Sequence, residues 1–187
     1  MQAARGTSLS DEHTTSGTSR PTGGSSRFRW VLATAALLAY AVDVATKQLA
    51  VTRLEDGDVA VLGDWFVLHL TYNPGAAFSL GTDFTVALTF LAIAAVCVIV
   101  ALARKVGSTT WAVALGLLLG GVAGNLTDRL LREPGPFRGH VVDLFMVPNW
   151  PVFNVADVCI NVAAALIVLQ AFRGVTLAGG REKAPRR

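Results

Sequence analysis

The sequence predicts an all-α membrane protein: four transmembrane helices with a small, cradle-like β-sheet in the first outer loop. Three observations carry this reading. The chain of 187 residues is 52% hydrophobic and only 16% charged, where soluble domains carry about a quarter charged residues, and its mean hydropathy is +0.51. Four apolar runs lie along it, each of the roughly 20 residues that a helix needs to cross the hydrocarbon core. Basic residues fall on alternate links between those runs, as a multi-pass topology requires.

Residues 1–28 are rich in Ser, Thr, Gly and Arg and lack an apolar pattern, which reads as a disordered cytoplasmic arm. The first apolar run, WVLATAALLAYAVDVATKQL, covers about 30–49. The long arm before it and the Asp43/Lys47 pair within it argue against a cleaved signal peptide. In the loop that follows, VAVLGDWFVLHLTYN at 59–73 is rich in Val, Leu and aromatics with partial alternation, which predicts one or two strands lying at the outer membrane surface. Asn73-Pro74-Gly75 is the turn that ends them. The second run, FTVALTFLAIAAVCVIVALA at 84–103, is uncharged. The third, WAVALGLLLGGVAGNLTDRL at 111–130, is polar only near its end, and the fourth spans about 151–172. Residues 29–173 thus form one membrane domain, and 174–187 form a basic cytoplasmic tail.

Four crossings put both termini on one side. The arm carries Arg5, Arg20, Arg27 and Arg29. The link between the second and third runs carries Arg104 and Lys105. The tail carries Arg173, Arg181, Lys183, Arg186 and Arg187. The loop 50–83 has one Arg against Glu55, Asp56, Asp58, Asp64 and Asp83. The positive-inside rule therefore places both termini in the cytoplasm, with loops 50–83 and 131–150 outside.

On this topology the polar residues of the helices gather at the outward end. Asp43 and Lys47 are spaced i, i+4 with the acid first and pair as a structural ion pair. Asn125 shares a helix face with Asp128 and Arg129, and the adjacent Asp128 and Arg129 are expected to neutralise each other. Asn154 and Asp157 share a face of the fourth helix, with Pro151 near its first turn. Asp157, seventh in its run, lies roughly 9 Å along that helix, shallow enough for water to reach. Asp143 ends HVVD just before it. No cation adjoins Asp143 or Asp157 in sequence. If the two converge they form a carboxylate dyad, in which one group stays protonated beside an ionised partner. That is the arrangement for activating water against an amide. The residues alone equally admit a proton- or ion-relay role, as in a small proton-coupled transporter or channel subunit. Such a transporter should carry polar groups through the full membrane depth, and here they cluster at one face.

Other chemistries are poorly supported. There is no GxSxG, and His13, His69 and His140 lack metal-ligand spacing. Cys97 and Cys159 sit inside apolar runs without CxxC spacing and read as buried small apolar residues. GGVAG at 120–124 lacks the strand and GK[ST] of a phosphate loop and reads as a helix-packing surface. The basic tail follows from topology and anionic lipid, so no nucleic-acid partner is expected.

The motifs DVATK at 43–47, NPGAAFS at 73–79, GGVAGNLTDR at 120–129, VVDLF at 141–145 and FNVAD at 153–157 resemble, in order, those of the lipoprotein signal peptidases (signal peptidase II), aspartic peptidases of the bacterial membrane. The likeness covers most of residues 30–172 and leaves out the arm and the tail. It implies a four-helix domain of the cytoplasmic (inner) membrane with a small outer sheet. It also implies cleavage of prolipoproteins just before a diacylglyceryl-modified cysteine, with Asp143 and Asp157 as the catalytic pair near the outer face. Asp43, Lys47, Asn73, Gly75, Asn125, Asp128, Arg129 and Asn154 would shape the site or touch substrate. No cofactor or metal is required. The expected partners are the lipidated substrates and membrane lipid, with the chain acting as a monomer.

Overall fold

A computed structural model describes residues 26–75 and 85–181. Most of the arm, the 76–84 stretch with Asp83 and the end of NPGAAFS, and the tail beyond Arg181 lie outside the described residues. The elements run α1 (Ser26–Arg53), β1 (Val59–Ala60), β2 (Val67–Asn73), α2 (Thr85–Ala103), α3 (Thr109–Leu131), β3 (Val141–Met146) and α4 (Val155–Phe172). All four helices are long and apolar enough to cross a membrane.

α3 is the central helix, packed on α1, α2 and α4. Small residues let it approach two neighbours at backbone distance. A Cβ on Gly116 or Gly120 would stand 2.6 or 2.5 Å from the carbonyl oxygens of Leu32 and Ala36 on α1. One on Gly124 would overlap the Asp43 carboxylate, and one on Gly121 would stand 2.6 Å from the Ala156 carbonyl of α4. GGVAG is therefore a packing surface, shared between α1 and α4.

At one end of the bundle, Leu32, Ile99, Val106, Ala112 and Leu115 form an apolar cluster. The chain beyond α4 folds back over this end. Trp111 Nε1 donates to the Val175 carbonyl at 3.1 Å, and Gly107 N donates to that of Leu177 at 2.9 Å.

The opposite end carries a three-stranded antiparallel sheet in the order β1-β2-β3. The predicted strand region 59–73 is two strands joined by a tight turn at Gly63, whose φ of 55° suits glycine. β3 was not expected from the sequence. It brings the 131–150 link into the same sheet, with Asn73 opposite Val141 and Thr71 opposite Asp143. One face of the sheet packs Val142 and Leu144 against Ala50 and Leu54 at the end of α1. Phe153 then pairs with Phe145 and leads the chain directly into α4.

Two expectations change. α4 begins at Val155, not near Pro151, so Asp157 is the third residue of its helix and lies nearer the helix end than the length of the apolar run implied. Cys97 is exposed on α2, not buried, while Cys159 is partly covered.

Candidate active site

The site forms where the sheet meets the ends of α1, α3 and α4. Asn154 is the N-cap of α4. Its Oδ1 accepts from Asp157 N at 2.9 Å, and Asp157 Oδ2 accepts from Asn154 N at 3.2 Å. This reciprocal capping box satisfies two terminal amides and fixes the Asp157 side chain at a helix N-terminus, where negative charge is favoured. With Oδ1 committed to the cap, the Asn154 amide group points the other way. Nδ2 donates to Asp143 Oδ1 at 2.6 Å. One buried asparagine therefore bridges the two aspartates.

Asp143 is held from its other side by the sheet. Asn73, diagonal to it across the β2–β3 pair, donates from Nδ2 to Asp143 Oδ2 at 3.0 Å. Asp143 is 2% exposed. Burial pushes its carboxyl up to about 6, and the nearby Asp157 charge adds to the rise, while the amide bonds from Asn73 and Asn154 oppose it.

Asp157 Oδ1 accepts from Asn125 Nδ2 at 3.0 Å. The orientation of that amide is set below it. Lys47, which can only donate, gives a 2.8 Å bond to Asn125 Oδ1 and so turns Nδ2 toward Asp157. Lys47 is 1% exposed and lies 2.8 Å from Asp43 and 3.0 Å from Asp128. Asp43 Oδ1 in turn accepts from the Ala156 amide of α4 at 2.8 Å. A buried Lys–Asp–Asp cluster thus ties α1, α3 and α4 together directly under the two aspartates.

The expectation that Asp128 and Arg129 neutralise each other is corrected. Consecutive helix residues point about 100° apart, and the two side chains diverge. Asp128 pairs with Lys47 and with Arg132, and its Oδ2 accepts from Val142 N at 3.2 Å. Arg129 donates to the carbonyls of Pro74 at 3.4 Å and Gly75 at 2.6 Å, pinning the turn after β2 over the site. The other expected pair, Asp43–Lys47, is present.

Asn73, Gly75, Asn125, Arg129, Asp143 and Asp157 line one groove of about 640 Å³. The expected residues Asp43, Lys47, Asp128 and Asn154 lie behind its wall as support. Neither Asp143 nor Asp157 has an ion-pair partner among the described residues. Much of the remaining lining is apolar, from Trp150, Pro151, Val152, Val158 and Val162, with Asn161 among them. Arg132, Trp150 and Asn161 were not among the expected site residues. Arg132 follows Asp128 by the same i, i+4 acid-first rule that finds Asp43–Lys47 and was legible. Trp150 carries no such signal. The groove combines a buried carboxyl of raised affinity for protons, a second carboxyl at a helix N-terminus, and amide donors around both. Such a set can both give and take a proton at one bond.

The family description of signal peptidase (SPase) II matches residues 35–173. A lipoprotein signal peptidase of Streptomyces coelicolor is 47% identical over 146 residues, covering 78% of this chain and 72% of that protein. One of Mycobacterium avium is 45% identical over 161 residues, covering 84% and 88%. A solved bacterial membrane enzyme shares the fold with a TM-score of 0.70 at 21% identity, covering 88% of this chain and 98% of that one. A match over most of the chain, with relatives this similar, shows that the chain belongs to the signal peptidase II family of bacterial multi-pass membrane peptidases.

Proposed function

We propose that the chain is an aspartic endopeptidase that removes the signal peptide from prolipoproteins, cutting just before the diacylglyceryl-modified cysteine, with Asp143 and Asp157 as its catalytic pair. The observation that carries this reading is the single asparagine, Asn154, that bridges two carboxylates in one groove with no cation paired to either among the described residues. The relatives, lipoprotein signal peptidases, support the substrate class.

In the mechanism, Asp143, whose protonated form burial favours, starts as the acid, and Asp157 starts as the base. Water attacks the carbonyl carbon preceding the cysteine and loses a proton to Asp157. Asp143 hydrogen-bonds the carbonyl oxygen and gives it a proton as negative charge develops there. The C–N bond then breaks, the leaving amine takes the proton held by Asp157, and the newly formed acid returns a proton to Asp143. No covalent enzyme intermediate arises. Arg129, by holding Pro74 and Gly75, keeps the turn over the groove and limits bulk water.

The charge distribution supports cytoplasmic termini and an outward-facing site. Residues 29–173 make the peptidase unit, flanked by a cytoplasmic arm and tail. The transport alternative gains nothing from the bundle: among the described residues, the ion pairs of its helices and their caps all involve Asp43, Lys47, Asp128 and Arg132 at the sheet end. Cleavage of a synthetic prolipoprotein by purified protein tests the activity. The expected product is cut before cysteine and forms only when that cysteine carries diacylglyceryl. Equal cleavage of the non-lipidated peptide would contradict the substrate assignment.

A further inference from the structure

Asn161 is exposed on α4, one turn below Asp157, and lines the groove beside Val158 and Val162, which are also exposed. The position is costly for an amide, since a carboxamide facing hydrocarbon lacks water to bond. The fold gains little from it. Among the described residues its side chain makes one hydrogen bond, from Nδ2 to the Asp157 carbonyl at 2.9 Å within the same helix, and bonds of that kind cap nothing and tie no elements together. Among the described residues, Oδ1 and the second N–H of Nδ2 have no hydrogen-bond partner, and the residue lines the groove.

We propose that Asn161 is a specificity-determining residue that donates a hydrogen bond to an ester carbonyl of the substrate's diacylglyceryl group. The inference rests on the peptidase reading above and deepens it. With the scissile bond at Asp157, the glyceryl esters lie a few bonds beyond the cysteine, within reach of a residue one turn away, roughly 6 Å at 1.5 Å per residue. The lipid part of such a substrate carries acceptors and no donors, so a free N–H is the group that recognises it. Val158 and Val162 flank Asn161 and offer the acyl chains an apolar path on the same wall.

The test compares two lipidated substrates with the same peptide and chain lengths, one with ester and one with ether links to glycerol. Wild type and Asn161→Val are assayed side by side, with thermal unfolding in the same detergent as a check on folding. Wild type is expected to prefer the ester substrate by about tenfold in kcat/KM, the effect of one hydrogen bond in a dry site. The variant is expected to cleave both at the wild type's ether rate. Equal cleavage of ester and ether by wild type overturns the proposal without reference to any variant. An equal loss on both substrates in the variant also overturns it, because the amide then serves the peptide or the helix. No cleavage of either substrate by folded wild type would instead overturn the peptidase reading beneath it.

Discussion

At the residue scale the site is a relay of orientations. Lys47 turns Asn125, Asn125 meets Asp157, and Asn154 joins Asp157 to Asp143. Removing the lysine leaves Asp43 and Asp128 buried without their shared cation, which typically costs roughly 3–5 kcal/mol. Lys47→Met is therefore expected to lower the thermal midpoint sharply in detergent, and unchanged unfolding would contradict the central place given to this cluster. Asp143 sets a second expectation. Burial pushes its carboxyl up to about 6; if it acts in its protonated form, as proposed above, kcat/KM should fall as pH rises through that value, toward tenfold per pH unit. The Asn73 bond holds the ionised form. Asn73→Ala should thus move the falling limb to higher pH, and a pH–rate profile reads the shift. Much at this scale was legible. Asp143, Asp157 and the Asp43–Lys47 pair stand out because charges in apolar runs are expensive. The partners of Arg129 were not, because it binds the carbonyls of Pro74 and Gly75, and a carbonyl has no signature in sequence.

At the element scale, the N-cap of α4 and the glycine face of α3 place the side chains. The Asn154–Asp157 spacing is that of a capping box, so the true start of α4 could have been read from it. Hydropathy alone extended the helix back to Pro151. β3 was hidden for a different reason. Val141–Met146 is a short apolar run whose strand partner lies about seventy residues earlier in the chain, and such pairing leaves no local pattern. The face formed by Gly116, Gly120 and Gly124 sets how closely α1 approaches α3. Gly120→Ala puts a methyl against the Ala36 carbonyl and the Ala39 side chain and should destabilise the bundle by about 1–3 kcal/mol. Thermal unfolding measures it, and a variant as stable as wild type would show that the helices can separate at no cost.

At the scale of the whole molecule, four apolar helices with charge on alternate links fix the architecture, and these were the plainest signals in the sequence. The same charge count predicts which side the site faces. With native cysteines replaced, a single cysteine at Glu55 should react with a membrane-impermeant maleimide in intact cells, and one at Lys105 only after permeabilisation. The reverse pattern would invert the topology and place the groove in the cytoplasm. The helices, the sheet and the buried lysine cluster converge on two carboxylates at one end of the bundle, and the most direct test addresses those two groups. Cleavage of a diacylglyceryl prolipoprotein should be measured for wild type, Asp143→Asn and Asp157→Asn, each verified as folded. Both variants are expected to lose about 10²-fold to 10⁴-fold in rate, the range of a general acid or base. Near-wild-type cleavage by either variant would remove that aspartate from the catalytic pair.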